Sequence, residues 1–152
     1  MSRSAGLLLA TLLGAVVFVL DQLAKRLVEG SMVLNESRPV IEDVFHLTYI
    51  ENSGGAFGLL AGSQLLLMVG SAVALGVVAW MLLAHPPSRA MTVGGGLVLG
   101  GAAGNLLDRI SSGGVTDYLD FRVWPIFNLA DIAIVLGVGL LVANAMFPRE
   151  KG

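Results

Sequence analysis

The sequence predicts an all-α membrane protein: a four-transmembrane-helix bundle with a small extracytoplasmic β-rich subdomain between helices 1 and 2. Three observations carry this. Hydrophobic residues make up 55% of the chain and charged residues 13%, where a soluble domain carries about 25% charge. The apolar residues gather into four long runs, three of them long enough to span a bilayer and the first one nearly so. Between the first two runs lies a polar, β-rich segment. The 152 residues suffice for one domain, residues 1–152. A net charge of -2 gives no case for nucleic acid or any other charged partner. With no cysteine, disulfides, thiol catalysis and Cys-ligated metals are excluded.

The first run, residues 5–20, is preceded by Arg3 and continues to about residue 27 if Asp21 is accommodated. A cleaved signal peptide is the rival reading, but the run leads straight into Asp21-Gln22-Leu23-Ala24-Lys25 with no small-x-small site. Residues 28–58 hold Glu29, Glu36, Arg38, Glu42, Asp43, His46 and Glu51 and read as an extracytoplasmic segment. Residues 40–50 are rich in β-branched and aromatic side chains and predict one or two short strands. Asn52-Ser53-Gly54-Gly55 ends that pattern.

The second span is expected over residues 59–84, stopped by His85-Pro86-Pro87. The third is expected over 91–109. Its Gly96, Gly100 and Gly104 recur every four residues, a small-residue stripe for close helix packing. The fourth is expected over 126–147, after an extracytoplasmic segment at 110–125. Four spans put both termini on one side. Arg3, Arg89, Arg149 and Lys151 point to the cytoplasm for that side. No internal repeat of the transporter kind is visible.

The stretch 115–131 holds three acids, Asp117, Asp120 and Asp131, at the edge of an apolar run. A carboxylate at a membrane boundary is costly unless paired, protonated or hydrated. Taken singly, each polar residue has a bland explanation. Asp21 and Lys25 lie four apart on one helix and can pair with each other. Asn52 and Gly54 fit a tight turn. Asn105, Asp108 and Arg109 close the third helix; Arg109 suits a C-terminal dipole, whereas Asp108 does not and needs a partner elsewhere. Asn128 fits an N-cap with Asp131 in the first turn. Asp117 and Asp120 read as solvated loop acids, and His46 and His85 as loop residues on opposite faces. Together these clusters fall at one end of the spans and converge at one membrane depth, which points to a shared site. No metal or nucleotide motif is present, so no cofactor is implied.

Five ordered motifs resemble those of the lipoprotein signal peptidases, or signal peptidase II. They are Asp21-Gln-Leu-Ala-Lys25, Asn52-Ser-Gly-Gly-Ala-Phe-Gly58, residues 101–109 ending in Asn105-Leu-Leu-Asp108-Arg109, Val115-Thr-Asp117-Tyr118 and Phe127-Asn128-Leu-Ala130-Asp131. The resemblance implies an intramembrane aspartyl endopeptidase of the bacterial inner membrane. Its substrates would be diacylglyceryl-modified prolipoproteins in membrane lipid, cut before the lipidated cysteine. The family's catalytic pair falls on Asp117 and Asp131. Its other motif positions fall on Asp21, Lys25, Asn52, Gly54, Asn105, Asp108, Arg109, Asn128 and Ala130. It also implies a β-cradle, a short helix before the fourth span, and inhibition by cyclic peptides such as globomycin. Gly55 stands where the family usually has alanine, and the stretch from Asp117 to Asp131 is shorter than usual. Read without the resemblance, the same acids also fit a proton-coupled transporter, and the glycine stripe a non-catalytic scaffold.

Overall fold

The computed structural model describes residues 2–54, 64–84 and 88–147. In chain order these form α1 (Arg3–Ser31), β1 (Ser37–Ile41), β2 (Phe45–Asn52), α2 (Gln64–Ala84), α3 (Arg89–Ser111), β3 (Val115–Asp120) and α4 (Leu129–Met146). The expected turn residues Gly55 and Gly58, and the His85-Pro86-Pro87 stop, lie outside the described residues. All four helices are long and apolar enough to cross a membrane. The expected start of the second span, residues 59–63, lies outside the described residues. Elsewhere the helix ends fall within a few residues of the expected bounds, and α1 runs furthest beyond its own, to Ser31.

α3 is the inner helix, packed against α1, α2 and α4. Its glycines make this possible by letting backbones touch. A Cβ on Gly96 or Gly100 would strike the carbonyl of Ala10 or Gly14 on α1, and one on Gly104 the Asp21 carboxylate. On another side, a Cβ on Gly94 or Gly101 would strike the carbonyl of Gly137 or Ala130 on α4. The predicted stripe therefore faces α1, and a second set faces α4. Ala10, Val78, Leu82, Met91 and Val98 form the buried apolar core between helices. The opposite faces, with Leu8, Leu12, Val16, Leu66, Val135 and Leu136, are exposed, as a lipid-facing surface requires.

The strands form one antiparallel sheet in the order β1-β2-β3. The first two strands were expected from residues 40–50; the third was not. β3 comes from the segment after α3, and its Asp117 pairs in register with Ile50, and Val115 with Asn52. Tyr118 packs with Val28 and Met32, which seats β3 on the end of α1. The helix implied before α4 does not form. Instead, residues 121–127 loop back, with Phe127 bridging antiparallel to Leu119. Leu119 N donates to Phe127 O at 2.8 Å and Phe127 N to Leu119 O at 3.2 Å. Phe121 stacks on Phe127 with centroids 5.9 Å apart and lies 4.8 Å from Phe45. So short a linker closes as a pinned loop, and its last step delivers Asn128 beside Asp117.

Candidate active site

α4 begins with a capping box: Asn128 Oδ1 accepts from Asp131 N at 3.0 Å, and Asp131 Oδ2 from Asn128 N at 3.2 Å. The N-cap reading of these two residues is therefore correct, and it does not exhaust them. Asn128 Nδ2 also donates to Asp117 Oδ1 at 2.7 Å. One asparagine thus touches both acids. The other Asp117 oxygen accepts from Asn52 Nδ2 at 2.8 Å, while Asn52 Oδ1 is held by Gly54 N at 3.0 Å. Asp131 Oδ1 accepts from Asn105 Nδ2 at 2.8 Å.

Behind this layer lies a buried charge cluster. Lys25 Nζ is 2.8 Å from Asp21 Oδ2, 2.6 Å from Asp108 Oδ2 and 2.9 Å from Asn105 Oδ1. The Asp21–Lys25 pair is the one the spacing predicts, and Lys25 is the partner that Asp108 needed. Asp21 Oδ1 accepts from Ala130 N at 3.0 Å, which ties α1 to the first turn of α4. Ala130 is fully buried, and its carbonyl abuts Gly101, so it is position 101 that must lack a side chain. Gln22 donates to Asp108 Oδ1 at 2.8 Å. The sequence reading missed Gln22, although a polar residue between Asp21 and Lys25 in an apolar run was its signal. Among the described residues, the four polar clusters form one hydrogen-bonded network.

Asp117 is buried, so its reading as a solvated loop acid fails. Burial pushes its carboxyl up from 3.8 to about 7, helped by the nearby Asp131 charge and opposed by the Asn52 and Asn128 amides. Asp120 is corrected in the same way: it is buried, not solvated. It accepts from Thr48 Oγ1 at 2.8 Å, Arg122 N at 2.8 Å and Arg122 Nη1 at 3.1 Å. Burial works to raise its pKa, but these hydrogen bonds prevail and hold it below the usual carboxylate value. His46 is not a loop residue but part of β2, with Nδ1 3.0 Å from Ser37 Oγ. His85 lies outside the described residues.

Asp117, Asp131, Asn52, Asn105 and Arg109 line a cavity of about 490 Å³. The rest of its wall is largely apolar, formed by Trp124 to Phe127 and by Ile132, Ile134, Val135 and Leu136 on α4. It therefore joins a polar head to a face open to lipid. Arg109 Nη1 donates to Asn105 O at 3.3 Å, and its buried Nε has no hydrogen-bond partner. Among the described residues, no cluster of three or more acids or histidines is arranged to hold a metal.

A family model for Signal peptidase (SPase) II matches residues 13–147. The chain belongs to that family. It is 48% identical over 139 residues to the lipoprotein signal peptidase of Halothermothrix orenii, covering 90% of this chain and 93% of the other. It is 45% identical over 143 residues to that of Moorella thermoacetica, covering 93% and 95%. A solved structure described as a bacterial membrane enzyme, at 2.3 Å resolution, superposes with a TM-score of 0.84 at 28% identity, covering 94% of this chain and 93% of that one. Signal peptidase II is a peptidase family of bacterial membranes, in keeping with the four apolar helices.

Proposed function

We propose that this protein removes signal peptides from diacylglyceryl-modified prolipoproteins, cutting before the lipidated cysteine, with Asp117 and Asp131 as an acid pair that activates water. The observation that carries the reading is Asn128, whose side-chain amide donates to the Asp117 carboxyl and whose backbone N–H donates to the Asp131 carboxyl, at the polar head of an otherwise apolar cavity. Two carboxyls in one site share a proton, because like charges that near do not both ionise. With its pKa pushed to about 7 by burial, Asp117 is the member that keeps the proton. Asp131, at the positive end of α4, is the base.

Asp131 takes a proton from water, whose oxygen attacks the scissile carbonyl carbon. Asp117 hydrogen-bonds the carbonyl oxygen as charge develops there. As the C–N bond breaks, a proton passes to the leaving amine and the pair is reset. Asn128 and Asn105 hold the two carboxyls in place. Arg109 binds the substrate backbone through its unused N–H, and the turn at Asn52 and Gly54 clamps the substrate strand. The signal peptide lies along the apolar α4 face, and the diacyl chains stay in membrane lipid. Both termini are cytoplasmic and the site opens near the outer face of the inner membrane. A cyclic peptide such as globomycin inhibits by filling the same cavity.

The test uses purified protein in detergent with a diacylglyceryl prolipopeptide and its unlipidated twin. Release of signal peptide from the lipidated substrate only is the expected result. Equal cleavage of both, or of neither, contradicts the substrate class.

A further inference from the structure

The sheet-side ends of α1 and α3 enclose a second cavity of about 270 Å³, with no lining residue in common with the first. Lys25, Arg26 and Glu29 line it from α1, Asp108 and Ser111 from α3, and Ser112 from the cap of α3. Lys25 and Asp108 are buried and paired with each other. Arg26 and Glu29 are exposed. Arg26 has no ion pair or hydrogen bond among the described residues. Glu29 uses one oxygen only: Oε1 accepts from Thr116 Oγ1 at 2.6 Å, leaving Oε2 open. α3 ends at the cavity, where its Leu107, Asp108 and Arg109 carbonyls already accept hydrogen bonds from Ser111, Ser112 and Gln64, so Glu29 is the acceptor left over.

The depth of this site follows from length. About 20 helical residues cross the hydrocarbon, and counted from Ala5 they reach Ala24. Arg26 and Glu29 come next, at headgroup level. Leu23 and Leu27 on α1 and Leu107 and Ile110 on α3 present exposed apolar surface beside them. An unpaired guanidinium at that depth meets lipid phosphate as its available anion. A purely anionic headgroup would also meet Glu29 and Asp108. A quaternary ammonium would offer Glu29 no N–H.

We propose that this cavity seats the headgroup of a phospholipid bearing a primary ammonium. Arg26 holds the phosphate. Glu29 Oε2 holds the ammonium. The acyl chains run down the apolar surface of α1 and α3.

The test is native mass spectrometry of the intact protein released from vesicles of equal phosphatidylethanolamine, phosphatidylcholine and phosphatidylglycerol. The wild type should retain the ethanolamine lipid several-fold over the other two. Arg26→Gln should lose that enrichment, while Arg26→Lys, which keeps the charge, should retain it. Glu29→Gln should lose the preference for ethanolamine over choline. Equal retention of the three lipids by wild type, or unchanged enrichment in Arg26→Gln, overturns the proposal. Full displacement by soluble phosphoethanolamine also overturns it, since the occupant would then be a free headgroup.

Discussion

Lys25 Nζ lies 2.9 Å from Asn105 Oδ1, and this contact fixes which way the Asn105 amide points. A lysine has only donors, so the oxygen must face it and Nδ2 must face Asp131, 2.8 Å away. A buried cation on α1 thereby orients a donor on α3 toward an acid on α4. Lys25→Met should abolish this and strand Asp21 and Asp108, costing ~3–5 kcal/mol of stability. Processing should fall about 100-fold, the scale of a small misplacement in a site. The double variant Lys25→Met/Asp108→Asn should recover much of the stability but not the rate. Thermal unfolding in detergent and prolipopeptide cleavage measure the two. A wild-type rate in Lys25→Met would show that the amide needs no such partner.

The pH dependence follows from Asp117. Its folded pKa of about 7 stands above the ordinary 3.8. The native state therefore holds a proton that the unfolded state has lost between those values. The stability this group contributes is complete below the unfolded pKa and is lost as pH rises through about 7. Activity should fall on the same alkaline limb, a property of the coupled pair. Unfolding of Asp117→Asn should show a flatter slope over that window. An alkaline limb starting far above pH 7 would remove Asp117 as the proton holder.

Gly104 is a sharper probe of the bundle than its place in a stripe implies. A Cβ there meets the Asp21 carboxylate, whose other oxygen holds Ala130 N at the head of α4. Gly104→Ala should destabilise by ~1–3 kcal/mol, the range for overpacking, and lower activity by moving α4. Gly139→Ala meets nothing within 4 Å and should leave both unchanged. Matching melting temperatures for the two variants would refute this.

Asp120 is buried, yet it belongs to the sheet and not to the cavity. Asp120→Asn keeps an acceptor for Thr48 or for Arg122 N and should retain most activity. Asp120→Leu strands both donors and should lower stability by ~1–3 kcal/mol. Loss of activity in Asp120→Asn as complete as in an Asp117 variant would mean that the wrong acids are paired.

The helices were legible because each is an apolar run, and the Asp21–Lys25 pair because helical spacing puts them on one face. Asp108's need for a partner was legible from its position at a helix end, but Lys25 as that partner was not. What stayed hidden depends on distant pairing. Asp117 takes a hydrogen bond from Asn52 across 65 residues, and Asp120 from Thr48 across 72. Residues 115–120 carry no clear alternation, so neither β3 nor its register is readable locally. The loop at 121–127 displaced the implied helix because Phe121 and Phe127 stack and Phe127 pairs with Leu119. Recognising the acids was thus a matter of composition and motif, whereas their environment was a matter of topology.

The acid pair stands or falls on signal-peptide release from a diacylglyceryl prolipopeptide by Asp117→Asn and Asp131→Asn, each verified as folded in detergent. Both should bind substrate and release no detectable signal peptide. Near-wild-type release by either one would contradict the acid pair.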